Sequence, residues 1–434
     1  MIWNKEVECN GRKGIREIQL KRLQKTVKNV YDNVPYYRKK LDDAGVSPDD
    51  IRSLDDLRRI PFTVKDDLRN NYPYGLFTVP MQKIVRIHAS SGTTGKPTVV
   101  GYTRADLDMW SETMARLVCC AGGTSDDIAQ ISFGYGLFTG AFGLHYALEK
   151  VGASVIPMST GNTEKQIMIM KDFGTTLLVS TPSYALYMSE VAMSMGVDIK
   201  KELRLKTGMF GAEGSTEEMR TELEKRWGII ATENYGLSEI IGPGVAGECT
   251  EKCGMHLSDD FFIAEIIDPQ TGEVLPDGEK GELVLTTINK EGMPLLRYRT
   301  KDITYIDPTP CKCGRTTPRI AKIQGRSDDM LIIKGVNVFP SQIEGVLVGM
   351  DGIAPYYQIV VKKKGFIDDM EVLVELSDDS LLEKFSELEK LEKTVKHNLK
   401  SVLGLDIKIK LVEPKTIERT AGKAKRVIDL RNRE

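Results

Sequence analysis

A layered α/β fold with much parallel sheet, an attached antiparallel β subdomain and a small C-terminal α+β domain is predicted for this chain. Three observations carry that prediction. Beyond SSGTTGKPT at 90–98, short apolar runs alternate with amphipathic helical stretches, as in strands linked by crossover helices. From about 261 to 306 the helical pattern stops, and strands follow one another through turns containing Gly and Pro. After the polar segment GRSDD at 325–329, strands and helices are mixed again. A length of 434 residues also exceeds one average domain.

Taken in order, residues 15–72 read as charged helices with turns at Asn33-Val34-Pro35 and Ser47-Pro48. KIVRIHA at 83–89 alternates as a half-buried strand and leads into SSGTTGKPT. Thr103 to Cys120 reads as a helix, and ASVIPM, TLLVS and KTGMFG are short apolar strands. STEEMRTELEKRWG opens with hydroxyls and then acids, which is how a helix begins. FIAEIID, GELVLTT and ITYID form the β subdomain, placed at about 257–325. MLIIKG, a helix entered at Pro340, strands YYQIVV and MEVLVEL, a charged helix over 381–402 and strand DIKIKLV complete the last domain. The terminal VIDLRNRE reads as one short helix. The expected domains are therefore 1–325 and 326–434, divided at the polar segment 326–329.

Composition excludes several function classes. A net charge of −2 with dispersed basic residues gives no footprint for nucleic acid. No apolar run is long enough to span a membrane, and MIWNKEVECNGRKG has no apolar core behind its charges. A cytoplasmic location is the expectation, with the seven cysteines as reduced thiols or metal ligands.

The segment SSGTTGKPT holds small residues, hydroxyls and one lysine, with no apolar anchor. Small residues let backbone N–H groups approach an anion, hydroxyls add donors, and Lys96 supplies a point charge. This chemistry suits a polyphosphate. It is not a Walker A loop, because Gly92 and Gly95 are too close and Pro97 replaces the magnesium-binding hydroxyl. Four further motifs follow in order: Tyr235-Gly-Leu-Ser-Glu239, Tyr298-Arg-Thr-Lys-Asp302, Gly325-Arg-Ser-Asp-Asp329 and Gly422-Lys423. Together they resemble the adenylate-forming enzymes, which include acyl-CoA synthetases, luciferases and adenylation domains. NVPYYRKKLDDAGV, FGYGLFTGAFGLHYALE, GAEGST and ERTAGKAKRVID resemble the phenylacetate–CoA ligase branch of that family.

The resemblance implies an acid–thiol ligase: ATP and an aryl acid give acyl-AMP and pyrophosphate, and CoA then takes the acyl group. It assigns Ser90, Ser91, Gly92, Thr93, Thr94, Gly95 and Lys96 to the β- and γ-phosphates. Glu239 would hold Mg²⁺, and Ser238 would contact the α-phosphate. Tyr235 and Gly236 would face adenine, with Gly211, Ala212 and Glu213 opposite, and Asp302 and Arg326 would bind ribose. Lys423 would bridge the acid and the α-phosphate, with Lys425 as the second candidate, and Asp328 would be the hinge, within 326–329, of a mobile C-terminal domain. Tyr135, Phe138, Phe142, Ala212 and Pro243 are expected at the aryl acid, where aromatic walls suit a flat ring. Phe133 belongs to the same aromatic run, part of which is expected to pack in the core. A homodimer is implied by relatives. Transfer to a carrier protein, and a non-catalytic nucleotide-binding regulator, are the alternative functions.

ECTEKCGMH and TPCKCGRT offer five soft ligands in two clusters, enough for a tetrahedral structural zinc. Resemblance to relatives selects Cys249, His256, Cys311 and Cys313, leaving Cys253 spare. Cys9, Cys119 and Cys120 read as ordinary thiols.

Overall fold

The computed structural model describes residues 1–90, 97–137, 139–333, 336–364, 367–382 and 384–431. Its largest sheet runs in the order Ile306–Asp307, Arg319–Ile320, Met255–Leu257, Gly242–Glu248, Ile230–Leu237, Thr207–Gly211, Leu177–Ser180, Ile128–Ile131, Ser154–Ile156. From Ile230–Leu237 to Ser154–Ile156 every pairing is parallel. From Ile230–Leu237 the other way every pairing is antiparallel. The parallel strands are covered on both faces, so Leu177–Ser180 and Thr207–Gly211 are buried at every position.

Helices are started by the side chains their first turns need. Thr103 caps Arg104–Cys120 by accepting from the Asp106 N–H at 3.2 Å, and Asp106 accepts in return from the Thr103 N–H at 3.0 Å. Thr216 caps Glu217–Trp227, which ends at Gly228 in the left-handed conformation. Trp110, Met114 and Leu117 on the first of these helices enter the main core.

A second, antiparallel sheet contains Phe262–Ile267, Gly281–Thr287 and Tyr298–Thr304. Strands Arg86–Ala89 and Val99–Tyr102 form a separate hairpin. Residues 81–83 are a short 3₁₀ turn, so the strand read at 83–89 begins later, at Arg86.

The C-terminal lobe carries a sheet in the order Lys408–Val412, Ile367–Leu376, Ile353–Lys364, Val427–Asp429. Pro340–Leu347 and Phe385–Leu403 share its core through Ile343, Leu347, Val395 and Leu399. In the described part of VIDLRNRE, 427–431, there is a strand and not a helix: Val427–Asp429 pairs in parallel with Ile359, Val360 and Val361. An open sheet edge offers those backbone groups partners that an isolated helical turn lacks. Val348 from this lobe is buried with Met219, Leu223 and Trp227, so the two lobes share one apolar contact. No helix among the described residues is long and apolar enough to cross a membrane.

Candidate active site

Several expected functional residues collect at the carboxyl ends of the parallel strands. Ile128–Ile131 runs toward Phe133 and Tyr135, and Leu177–Ser180 runs into Thr181. Thr207–Gly211 runs into Ala212, and Ile230–Leu237 into Ser238 and Glu239. Loops at such an edge are free of ladder pairing and converge, which makes it the natural place for a ligand.

The turn bearing Ser238 and Glu239 joins two strands that lie unusually close. A Cβ on Gly236 would stand 1.9 Å from the Gly242 carbonyl oxygen, and one on Gly211 2.6 Å from that of Asn234. Only glycine permits either approach. Ala212 holds φ 70°, a left-handed turn that ends the strand beside them. The Ser238 hydroxyl lies 3.2 Å from that of Thr139.

Glu239 is 8% exposed, and its carboxylate accepts from the Thr98 hydroxyl at 3.5 Å. Thr98 in turn lies 2.6 Å from the Ser90 hydroxyl across the base of the hairpin. The hydroxyl-rich loop therefore springs from a point next to Glu239. Ser91, Gly92, Thr93, Thr94, Gly95, Lys96 and Phe138 lie outside the described residues. Lys290 is buried below the turn and donates to the Ile240 carbonyl at 2.7 Å. Burial lowers its pKa to about 8.

Asp302 is 5% exposed and accepts from the Tyr235 hydroxyl at 2.5 Å. Burial raises the Asp302 pKa to about 6, against the pull of the Tyr235 hydrogen bond and of Arg326. Burial, with the neighbouring carboxylate, pushes the Tyr235 phenol well above its ordinary value and keeps it a donor. The Arg326 guanidinium is forked on Asp328 at 2.9 Å to each oxygen, and lies 3.5 Å from Asp302. Ser327 donates its N–H to the Lys301 carbonyl at 2.7 Å, which lays the 326–329 segment along the strand bearing Asp302.

Lys423 approaches from the C-terminal lobe and is exposed. Burial raises the Asp329 pKa, and the charges of Arg326 and, more weakly, Lys423 oppose that rise. Lys425 is exposed too, and its carbonyl lies 3.5 Å from the Gln358 amide nitrogen on the neighbouring strand.

Tyr135 and Phe142 meet edge to face at 5.3 Å, and Phe142 lies 5.7 Å from His88. Pro243 reaches this aromatic group by accepting from the Trp110 indole at 2.6 Å. Phe133 is buried in the main core.

Family models match this arrangement twice: AMP-binding enzyme over residues 12–289 and AMP-binding enzyme C-terminal domain over 335–431. A phenylacetate–coenzyme A ligase of Aromatoleum evansii is 50% identical over 99% of this chain and 97% of its own. That of Escherichia coli (strain K12) is 48% identical over 96% and 95%. The chain belongs to the phenylacetate–coenzyme A ligase family of AMP-binding enzymes. Among solved structures, this AMP-binding enzyme superposes on 2-hydroxyisobutyryl-CoA ligase in its postadenylation state with TM-score 0.93, 28% identity and coverage of 99% and 92%. Against the same ligase with CoA in its thioesterification state the TM-score is 0.73, at 29% identity and coverage of 99% and 93%. The lobes of this AMP-binding enzyme are thus arranged as in the former.

One cluster of this AMP-binding enzyme lies apart from the nucleotide residues. Ligand atoms of Cys249, His256, Cys311 and Cys313 all lie within 4.8 Å of one another. Cys249 and Cys311 sulfurs are 3.6 Å apart, and the Cys313 sulfur is 3.3 Å from His256 Nε2. Zinc–ligand bonds of about 2.0–2.3 Å give tetrahedral edges of about 3.3–3.8 Å, and these two separations fall in that range. Burial lowers the His256 pKa to about 3, which leaves a neutral imidazole, and Nδ1 is engaged 3.0 Å from Thr317. The Cys253 sulfur is exposed and 3.5 Å from Cys311.

Sequence reasoning missed Thr98, Thr139, His88, Trp110 and Lys290 as neighbours of the site. Thr98 and Thr139 lie inside SSGTTGKPT and FGYGLFTGAFGLHYALE, but their partners Glu239 and Ser238 are distant in sequence, and His88, Trp110 and Lys290 lie in none of the five ordered motifs.

Proposed function

We propose that this enzyme activates phenylacetate, or a closely similar arylacetic acid, and transfers it to CoA. The full-length similarity to phenylacetate–coenzyme A ligases carries the reading; Glu239, Asp302 and Arg326, whose charges all act on the buried Tyr298, support it. A carboxylate oxygen attacks the α-phosphorus of ATP, the bond to pyrophosphate breaks, and acyl-AMP forms. The sulfur of CoA then attacks the acyl carbon, and AMP leaves.

In the first step two anions must touch, so positive charge has to be concentrated between them. Lys423 supplies it from the C-terminal lobe, while Ser90 to Lys96 grip the outer phosphates. Glu239 is the residue to hold Mg²⁺: its carboxylate is buried, accepts from the Thr98 hydroxyl and feels the charge of Lys290, with no direct ion pair among the described residues. When bound, that ion neutralises phosphate charge. Ser238 contacts the α-phosphate. Tyr235 and Gly236 face adenine, with Gly211, Ala212 and Glu213 opposite, and Asp302 and Arg326 hold the ribose. Tyr135, Phe138, Phe142, Ala212 and Pro243 line the aryl end.

The second step needs Lys423 withdrawn, which we assign to rotation of 326–434 on 1–325 about Asp328. Cys249, His256, Cys311 and Cys313 hold a structural zinc, and the enzyme works as the homodimer its relatives suggest, which sedimentation at assay concentration checks. ATP–pyrophosphate exchange across a panel of acids, followed by thioester assay with CoA or carrier protein, tests the reading. Exchange greatest with phenylacetate and thioester formed on CoA are expected. Exchange only with non-aryl acids, or transfer only to carrier protein, contradicts it.

A further inference from the structure

The backbone on both sides of Lys423 is bound to the N-terminal lobe. Thr181, buried at the end of strand Leu177–Ser180, caps helix Pro182–Ser194 by accepting from the Tyr184 N–H at 3.2 Å. The same hydroxyl donates to the Gly422 carbonyl at 3.0 Å. One residue into the helix, the Ser183 N–H donates to Glu213 Oε1 at 2.7 Å. The other oxygen of that carboxylate accepts from the Ala424 N–H at 2.9 Å. One helix start therefore holds residues 422 and 424 through its cap and through a carboxylate seated on its free N–H groups.

The flanks of this loop are tied as well: Arg419 is forked on Glu375 and lies 3.6 Å from Glu190 of helix Pro182–Ser194, and the Lys425 carbonyl accepts from Gln358 at 3.5 Å. A Cβ at Gly422 would meet nothing within 4 Å, and Lys423 itself is exposed. The loop's own bond, from the Thr420 hydroxyl to the Lys423 carbonyl at 3.1 Å, shapes the turn without placing it on the other lobe. The carboxylate is also suited to its seat, since the positive end of the helix favours an ionised group there.

We infer that Thr181 and Glu213 are positioning residues for adenylation, holding Lys423 over the α-phosphate in this arrangement of the lobes. This rests on the reading of Lys423 as the adenylation lysine. Both contacts cross between lobes, so rotation about 326–329 breaks them together. They therefore favour the first half-reaction and contribute nothing to the second.

The test measures both half-reactions in single turnover: acyl-AMP formation from ATP and phenylacetate, and thioester formation from supplied phenylacetyl-AMP and CoA. Thr181→Val and Glu213→Gln are each expected to slow adenylation about tenfold, the effect of losing one such hydrogen bond. Thr181→Val should not slow thioester formation, and Glu213→Gln, whose carboxylate also stands beside adenine in the proposed site, should slow it less than adenylation. Thr181→Ser, which keeps both the cap and the donor, should restore adenylation. Lys423→Ala is run beside them. If it abolishes adenylation while both latch variants adenylate normally, the latch is wrong and the lysine assignment stands. If it adenylates normally, the assignment beneath the latch fails as well. Equal loss of both half-reactions in Thr181→Val and Glu213→Gln, or no rescue by serine, also overturns the latch.

Discussion

Asp302 is a carboxylate set against its own ionisation. Burial raises its pKa to about 6, yet accepting ribose hydroxyls requires the charged form. The direction follows. Above pH 6 the carboxylate is present and binds; as pH falls through 6 it takes up a proton and one acceptor is lost. The KM for ATP is expected to rise between pH 7 and 5. Asp302→Asn should raise KM at pH 7.5 by about tenfold to a hundredfold and flatten that profile. A variant with unchanged KM and an unchanged profile would remove Asp302 from the ribose site. The motif around Asp302 was readable, because an acid after YRTK is an uncommon, ordered signal. Its 2.5 Å bond to Tyr235 was not, since the partners lie on different strands, 67 positions apart. Lys290 was hidden for the same reason, since one lysine carries no pattern until the fold gives it a neighbour; Thr98 closes SSGTTGKPT, but its bond to Glu239 joins positions 141 apart.

At the scale of elements, the hairpin after Tyr235 depends on a missing side chain. With 1.9 Å between a Cβ on Gly236 and the Gly242 carbonyl, Gly236→Ala must force two backbones apart. A cost of about 1–3 kcal/mol is expected in denaturant unfolding, together with loss of adenylation as Ser238 and Glu239 shift. Wild-type stability and rate in that variant would show the turn to be more pliant than drawn. The thiol cluster is the other test here. Purified enzyme should carry about one zinc per chain by elemental analysis. Cys311→Ser should lose it and melt several degrees lower. Its two half-reactions should keep their ratio, because the cluster lies apart from the nucleotide residues. No zinc in the wild type would end that assignment. Alternating strands and helices were legible from periodicity, as at Leu177–Ser180. Val427–Asp429 was not, because three residues show no period and the sheet edge that recruits them is distant in sequence.

Across the whole molecule, the proposed function requires two arrangements of two lobes, and the lobes here are arranged as in 2-hydroxyisobutyryl-CoA ligase in its postadenylation state. The segment 326–329 links them while Arg326 is forked on Asp328. A proline at 328 restricts the backbone change that rotation needs. Asp328→Pro is expected to keep adenylation and to slow thioester formation roughly a hundredfold, the penalty for a misplaced acceptor. Normal thioester formation would place the pivot elsewhere. The two-lobe layout could be anticipated from GRSDD, but the inter-lobe contacts could not. Val348 entering the cluster of Met219 and Trp227, and Glu213 reaching Ala424, join segments that no local pattern relates.

The central claim is that one lysine, brought in by the C-terminal lobe, serves the first chemical step alone. Single-turnover assay of Lys423→Ala tests it most directly. Acyl-AMP formation should fall by at least about a thousandfold, as for loss of a group acting on transition-state charge. Supplied phenylacetyl-AMP should still become thioester at the wild-type rate. Equal loss in both half-reactions, or full adenylation without that amine, would contradict the account.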